Sequence, residues 1–205
     1  MSRVLMPIVL VLPLVLSGCM VRSLRPIYTD EDLISMPALE GTWKGEDEGE
    51  QFSFARQGDG YLFTFTEDGV PITGIAHFAE IGKTNYMDVT LVESAFESFP
   101  EEKKEEIGPI LAPFMYYTTP VHIFYQVEVR DKVLRMRTMD HAWAKERREK
   151  GHLWIDHIAE GDSTLLIADT PRVQRFLRRW EKSEDAWGEW EELPLVPAEM
   201  APKSQ

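Results

Sequence analysis

QFSFARQGDGYLFTFT, residues 51–66, is the most regular part of this chain and settles its fold class. Aromatic side chains occupy every second position on both sides of a Gly-Asp-Gly turn, at Phe52, Phe54, Tyr61, Phe63 and Phe65. Side chains two residues apart lie on the same face of a strand, so each half of this segment has one apolar and one polar face. We therefore predict a β-hairpin with a buried aromatic face.

The same alternation continues on both sides of this hairpin. Asp68-Gly69 provides the next turn, and further runs of β-forming residues follow, separated by turn residues. Together they predict an up-and-down antiparallel meander of about eight to ten strands, and because an open sheet of that size leaves exposed edges, we expect a closed β-barrel. The predicted strands lie near Trp43 and over 51–55, 61–66, 70–81, 86–92, 121–129, 133–139, 152–158, 164–168 and 187–193.

Two helices interrupt the predicted strands. The first has Asp140 as its N-cap and ends before Gly151, a residue suited to the left-handed conformation that follows a helix. The second has Thr170 as its N-cap and Pro171 at the first helical position. Its apolar residues fall at a spacing that forms one stripe, which predicts packing against the sheet. These residues are Val173, Phe176, Leu177 and Trp180.

The start of the chain has the features of a secretion signal. Arg3 supplies a positive charge, and the apolar run from Val4 to Leu16 is too short for an ordinary membrane-spanning helix. The run closes with Leu16-Ser17-Gly18-Cys19, which resembles the lipobox of bacterial lipoproteins. The resemblance implies that residues 1–18 are a signal peptide, removed before Cys19, and that Cys19 carries the lipid anchor. A short membrane anchor is the alternative that the length disfavours.

The resemblance also implies a location and a domain organisation. In bacteria with two membranes, Asp directly after the acylated Cys is a signal for retention in the inner membrane, and here that position is Met20. The resemblance therefore implies the outer membrane, facing the periplasm, rather than the inner membrane. We predict a lipidated Cys19 with a tether over 19–37, one β-rich domain over 38–193 and an irregular tail over 194–205.

Composition excludes several classes of function. The chain has 35 acidic and 22 basic residues and a net charge of −13, which disfavours binding to the phosphates of nucleic acids. Cys19 is the only cysteine, so after acylation no thiol remains for a disulfide, a metal site or a nucleophile. We predict no cofactor.

The segment Gly41-Thr42-Trp43 precedes the first strands and resembles the Gly-x-Trp signature that opens lipocalin-type barrels. In that family the Trp packs across the closed end of the barrel, which implies a structural role for Trp43. The alternative is a core Trp at the start of any β domain. The whole arrangement resembles a group of uncharacterised bacterial lipoproteins with a Gly-Thr-Trp start, through Gly41 to Trp43, Pro120-Val121-His122 and the segment from Leu165 to Leu177.

Motifs of the common hydrolases are missing. The chain contains no Gly-x-Ser-x-Gly elbow, Ser-x-x-Lys pair or His-Glu-x-x-His helix, so we predict no catalytic residue and a protein that is not an enzyme. Alternation along a strand would place His152 and Asp156 on one face, with His141 as a third member of a metal or hydrolase site. The simpler interpretation, which predicts no metal, is a set of surface or hydrogen-bonded imidazoles.

Acidic runs recur along the chain. They lack the regular Asp and Asn spacing of a calcium-binding loop, so we interpret them as a solvated face that aids solubility. The runs are Glu46-Asp47-Glu48 with Glu50, Glu101-Glu102, Glu105-Glu106 and Glu191-Glu192.

The segment 107–117 is unusually apolar for a connection between strands. Phe114, Tyr116 and Tyr117 are its candidate ligand-binding residues, because apolar and aromatic side chains line most small-molecule sites. In this interpretation the segment is a lid or wall over the mouth of a barrel, where apolar ligands bind. The alternative is a short segment that packs on the core.

Three functions follow from these patterns. The first is a non-enzymatic envelope lipoprotein that binds a small hydrophobic or amphipathic ligand in a lipocalin-like barrel. The second is a structural or adaptor lipoprotein that binds another envelope protein through an exposed edge or aromatic surface. The third, an enzyme built on His141, His152 and Asp156, requires those side chains to meet in the fold.

Overall fold

The computed structural model describes residues 20–67, 69–92 and 121–197. They form a mainly β fold with one mixed sheet of 11 strands and two helices, α1 (His141–Glu149) and α2 (Thr170–Trp180). This confirms the predicted mainly β fold and the two helices, whereas the sheet is mixed rather than wholly antiparallel as predicted. The strands are β1 (Val21–Ser23), β2 (Gly41–Lys44), β3 (Gln51–Gln57), β4 (Gly60–Glu67), β5 (Val70–Ile81), β6 (Thr84–Leu91), β7 (His122–Arg130), β8 (Val133–Thr138), β9 (His157–Glu160), β10 (Ser163–Leu166) and β11 (Glu191–Pro194).

Strands β2 to β8 pair with their neighbours in chain order, and every pair is antiparallel. In the hairpin of β3 and β4, Phe52 lies opposite Phe65 and Phe54 lies opposite Phe63. The Phe52 and Phe65 rings are 4.9 Å apart between centroids. Gly58 in the turn has φ +61°, a conformation that glycine adopts at little cost. The aromatic alternation in the sequence therefore corresponds to one packed face.

The sheet branches at β7. The first residues of β7 pair with β1, which continues the sheet through β10 to β9, whereas Tyr125–Arg130 pair with β8. Strand β1 is parallel to β10, and this pair makes the sheet mixed. Strand β9 ends this branch as an edge.

The segment predicted as a tether contributes to the fold. Strand β1 and the short 310 turn Asp30–Asp32 lie within it, a second 310 turn over Pro37–Leu39 begins at its last residue, and Ile27 is fully buried. The residue next to Cys19 is already ordered, because Met20 N donates to Ser163 Oγ at 3.2 Å. Three residues of β1 carry no periodic signal of their own, and their partners in β7 and β10 lie far along the chain.

Strands β2 and β11 approach each other but do not form a continuous ladder of hydrogen bonds. Strand β11 pairs with β8. Beyond its end, Leu195 makes a single bridge to Trp43, and Val196 N donates to Thr42 O at 2.7 Å. The sheet is not closed, so the predicted barrel is not confirmed.

The sheet separates two apolar cores. The inner core lies on the face that carries Trp43, Phe54, Phe63 and Phe78, and strand residues supply most of it, together with Met20 and Leu39. The helix-side core lies on the other face, where α1 and α2 pack against the sheet. Its largest buried members include Ile27, Tyr86, Phe124, Leu177 and Trp187.

The two ends of the inner core differ. Residues 33–39 cross the end that contains the turns at 58–59, 82–83 and 131–132, and we call this the covered end. The opposite end contains the turn over 45–50 and the turn at Gly69. There the chain leaves the sheet after Leu91 and returns at His122.

One helix boundary and one strand boundary differ from the predictions. Asp140 caps α1 as predicted and accepts from Trp143 N at 2.6 Å, and Gly151 follows with φ +68°. The N-cap of α2 is Asp169 rather than Thr170, because the Asp169 carboxylate accepts from Arg172 N at 3.0 Å. The strand predicted over 152–158 begins only at His157.

Several predictions lie outside the described residues: the signal peptide, Cys19, the segment 107–117 with Phe114, Tyr116 and Tyr117, and the last residues of the tail. Within 20–67, 69–92 and 121–197, neither helix has the length and apolar character needed to cross a bilayer.

Candidate functional site

At the end of the inner core opposite the covered end, burial raises the pKa of two carboxyl groups, those of Glu50 and Glu191. Strands β2 and β3 are joined there by residues 45–50, and Gly45 N donates to Glu50 O at 3.0 Å. Alternation from Phe52 directs Glu50 to the inner face. A Cβ at position 45 would lie 2.4 Å from the Cβ of Glu50, so only glycine leaves room for this side chain. We call this end of the inner core the acidic end.

Glu50 is buried with an incomplete set of hydrogen bonds. The residue is 5% exposed, and its Oε2 accepts from Asp47 N at 3.2 Å. Its Oε1 is buried and has no hydrogen-bond partner among the described residues. Burial raises the pKa of the Glu50 carboxyl, and the charges of Asp47 and Glu46 add to this effect. A buried acceptor without a donor is costly, which makes Oε1 a candidate contact for a bound molecule.

Glu191 supplies the second carboxyl group. It is half-buried at the start of β11, opposite Met136, and shares its face with the fully buried Leu193. Burial raises the pKa of Glu191 to about 7, and the charges of Glu46 and Glu50 contribute. Glu191 is therefore partly protonated near neutral pH.

Tyr125 belongs to the apolar inner core and is influenced by the charge of Glu191. Burial raises the pKa of its hydroxyl above the ordinary range, with a further contribution from the Glu191 charge. The half-buried side chains of Val70 and Leu91 pack on the inner core at the same end. The acidic end therefore combines hydrogen-bond acceptors with an adjoining apolar surface.

The interpretation of the acidic runs as a solvated face is wrong for Glu50 and correct for their exposed members Glu46, Glu48 and Glu192. Glu50 lies two residues before Phe52, and Glu191 lies two residues before Leu193. The alternation that identified the aromatic face therefore contained a signal for both acids. The calcium alternative gains no support, because no group of three His, Cys, Asp or Glu side chains within the described ranges is placed to hold a metal ion.

A second buried polar pair lies on the opposite face of the sheet. His122 Nδ1 is 2.7 Å from Asp88 Oδ1, and Thr90 Oγ1 is 3.3 Å from the same nitrogen. Asp88 Oδ2 accepts from Ile27 N at 3.0 Å. The pair thus joins β6, β7 and the N-terminal segment. Sequence reasoning missed it because the two residues are distant along the chain.

The proposed histidine site does not form. Asp156 is ion-paired with Arg172, and the His152 ring lies 6.0 Å from the ring of Trp154. His152 borders a surface cleft of about 740 Å³ between α1 and the turn over 184–186. His141, His152 and Asp156 are not among any group of three metal-binding side chains within the described ranges, so the meeting of side chains that the enzyme hypothesis requires is not seen.

An exposed apolar surface follows the β9 edge. Trp154 is 60% exposed, has φ +53° and stacks on the Arg179 guanidinium, 4.3 Å from the ring centroid. Ile158 is 48% exposed, and Ile167 is also exposed. A left-handed conformation is unusual for a bulky aromatic residue. This surface is a second candidate for binding.

Trp43 is fully buried in the inner core, where its Nε1–H donates to Leu39 O at 2.9 Å. Cys19, Phe114, Tyr116 and Tyr117 have no described position, so their assigned roles stay predictions. No protein-family model, curated protein or solved structure matches this chain. The functional proposal therefore rests on the residues themselves.

Proposed function

We propose that this protein is a membrane-anchored envelope lipoprotein that binds a small hydrophobic or amphipathic ligand at the acidic end of its inner core. The observation that carries the proposal is the incomplete hydrogen bonding of the buried Glu50 carboxylate beside an apolar interior. Small-molecule sites are mostly apolar and contain a few placed polar groups.

The contrast between the two ends supports this location. At the covered end, Leu39 is fully buried and Met36 N donates to Tyr61 OH at 2.9 Å. The Tyr61 and Phe78 rings pack edge to face with centroids 5.3 Å apart. Residues 33–39 and the rings of Tyr61 and Phe78 therefore fill the covered end. A ligand could enter there only if these groups moved apart. The acidic end is the better candidate for ligand entry.

A lipocalin-like barrel belongs to this proposal. The path from β2 to β8 and β11 contains eight strands, and its ends approach each other at Trp43 and Leu195. A barrel of about eight strands either fills its interior with side chains or holds one small ligand. We assign Phe114, Tyr116 and Tyr117 to the wall of its mouth, between the points where the chain leaves after Leu91 and returns at His122.

The anchor is the acylated Cys19, with the domain in the outer membrane facing the periplasm. Because Met20 is hydrogen-bonded to the fold and adjacent Cα atoms are about 3.8 Å apart, acylation would hold the domain directly at the bilayer surface. Cys19→Ala should move the protein from the membrane fraction to the soluble fraction. Retention of the variant in the membrane fraction would contradict the assigned anchor.

The ligand is tested by purifying the full-length protein from its own envelope and extracting it with organic solvent. We expect about one molar equivalent of an apolar or amphipathic molecule beyond the acyl chains of the anchor. An extract without such a molecule, repeated in a second detergent, would contradict the binding function.

The exposed surface beside β9 favours a second candidate, an adaptor that binds another envelope protein. Edge strands present unpaired backbone groups to partners, and here Ile158 and Trp154 provide an apolar contact beside them. A photo-crosslinking amino acid at Ile158 should capture one envelope protein, while the same group at the exposed Leu62 of β4 should not. Equal patterns at the two positions would exclude this surface.

A further inference from the structure

Among the described residues, the charges that act on the carboxyls of Glu50 and Glu191 are all acidic. Glu46 and Glu50 from the β2–β3 connection act on Glu191, and Glu191 acts on Tyr125 of β7. Strand β8 directs the uncharged Met136 to this face, and alternation places its arginines, Arg135 and Arg137, on the other face. Arg135 Nε lies 3.0 Å from the carboxylate of Glu192 there, and Arg137 Nε donates to Gln126 Oε1 at 2.9 Å.

We propose that the acidic end binds a primary ammonium group attached to an apolar tail, with Glu50 Oε1 and the Glu191 carboxylate as its acceptors. This inference rests on the proposed ligand-binding function and names the class of ligand. An ammonium group is compact and has three donors, which suits two acids that approach from different strands. The carboxylates of Glu50 and Glu191 would repel an anionic headgroup, and a neutral headgroup would leave their negative charges without a counter-charge.

A metal ion is a poorer occupant of the same place. Protein sites for calcium or zinc supply about four or more ligands, and no three suitable side chains converge within the described ranges. The half-buried side chains of Val70 and Leu91 pack on the inner core at the same end and would offer apolar contacts to an alkyl tail. Acceptors and apolar contacts together select an amphipathic amine over an inorganic cation.

Binding of an ammonium group should depend on pH in a defined direction. The cation favours the ionised form of Glu191, whose pKa in the free protein is about 7. Alkyl amines stay protonated below about pH 10, as lysine does. The affinity should therefore rise about tenfold between pH 6 and pH 8 and then level off.

The test is calorimetric titration of the full-length protein in a non-ionic detergent, with titrations into detergent alone subtracted. Octylamine carries both features, 1-octanol carries only the tail, and ethylamine carries only the ammonium group. Glu191→Gln and Glu50→Gln keep the shape of the side chains and remove their charge. Glu48→Gln is the matched control, because Glu48 is an exposed member of the same acidic run.

We expect octylamine to bind most tightly, Glu191→Gln and Glu50→Gln each to weaken it about tenfold or more, and Glu48→Gln to change it by less than about twofold. Equal binding of octylamine and octanol, with no effect of Glu191→Gln or of pH, would overturn the ammonium site and leave ligand binding intact. Absence of binding by any probe would overturn the ammonium site as well. The extraction experiment then decides the proposed function separately.

Discussion

His122 Nδ1 lies 2.7 Å from Asp88 Oδ1, and the other oxygen of Asp88 accepts from Ile27 N. Asp88 is only 1% exposed, and within the described part of the chain these two groups are the partners of its carboxylate. One buried acid thus connects the N-terminal segment to the sheet on the helix-covered face. The segment that follows β1 is held in place by this polar contact as well as by the burial of Ile27.

Asp88→Ala should therefore reduce the free energy of unfolding by about 3 to 5 kcal/mol, because it leaves the Ile27 amide and the His122 ring without an acceptor. Urea denaturation monitored by tryptophan fluorescence measures the loss. Asp59→Ala is the control: Asp59 Oδ1 lies 3.6 Å from His77 Nε2 at a largely exposed site, and its removal should cost less than about 0.5 kcal/mol. Similar losses in the two variants would contradict the assigned role of Asp88.

The raised pKa of Glu191 predicts a pH dependence of stability with a definite sign. The pKa in the folded state is about 7, above the ordinary value of 4.5 that applies to the unfolded chain. The protonated form is thus favoured by folding, and this contribution is fully present below about pH 4.5 and lost as the pH rises to about 7. The loss should be about 2 to 3 kcal/mol.

Glu191→Gln should abolish that part of the pH dependence. The measurement is the difference in unfolding free energy between the variant and the natural protein at several values from pH 4.5 to pH 8. Because other titrating groups are common to both proteins, their effects largely cancel in the difference. A difference that stays constant over this range would show that Glu191 titrates normally in the fold.

Gly45 makes room for Glu50, so Gly45→Ala should displace that side chain and destabilise the protein by about 1 to 3 kcal/mol. Gly188→Ala is the matched control, since the nearest atom to its added Cβ is Thr138 O at 3.7 Å. We expect the control to unfold within about 0.5 kcal/mol of the natural protein in the same denaturant series. Equal midpoints for the two variants would mean that Glu50 is not confined as described.

Trp43→Ala should cost about 3 to 5 kcal/mol, because this fully buried ring packs in the inner core and donates to Leu39 O. Trp154→Ala removes an equally large side chain from the surface. It should cost less than about 1 kcal/mol, the size of an exposed stacking contact with Arg179. Thermal unfolding of both variants compares them directly. A loss below about 0.5 kcal/mol for Trp43→Ala would contradict the structural role that the resemblance to the lipocalin signature implies for Trp43.

The alternation over 51–66 predicted the meander because each strand pairs with its neighbour in the chain. Strand β1 escaped prediction for the opposite reason: three residues have no measurable period, and their partners are contributed by β7 and β10. The α2 cap was misplaced by one residue because Asp169 and Thr170 are both good N-cap residues. The backbone of Trp154 has a positive φ and is therefore not extended, so the strand predicted over 152–158 begins only after this residue, at His157.

The candidate site could be predicted only in part from the sequence. Composition identified the acidic runs, but it could not separate the exposed Glu48 from the buried Glu50 two positions later. The phase of alternation relative to Phe52 and Leu193 contained that information for Glu50 and Glu191. The spatial meeting of the β2–β3 connection with the start of β11 depends on the curvature of the sheet, which a local pattern does not encode.

The most direct test of ligand binding at the acidic end compares two bulky substitutions at opposite ends of the inner core. Val70 lies at the acidic end and Val129 lies near the covered end, and both are half-buried against the inner core. Native mass spectrometry of full-length Val70→Trp and Val129→Trp, purified from their own envelope, measures the fraction of protein that retains a bound molecule. We predict that Val70→Trp loses the bound mass while Val129→Trp keeps it. Retention by both variants, or a bare mass for the natural protein, would contradict a ligand site at the acidic end.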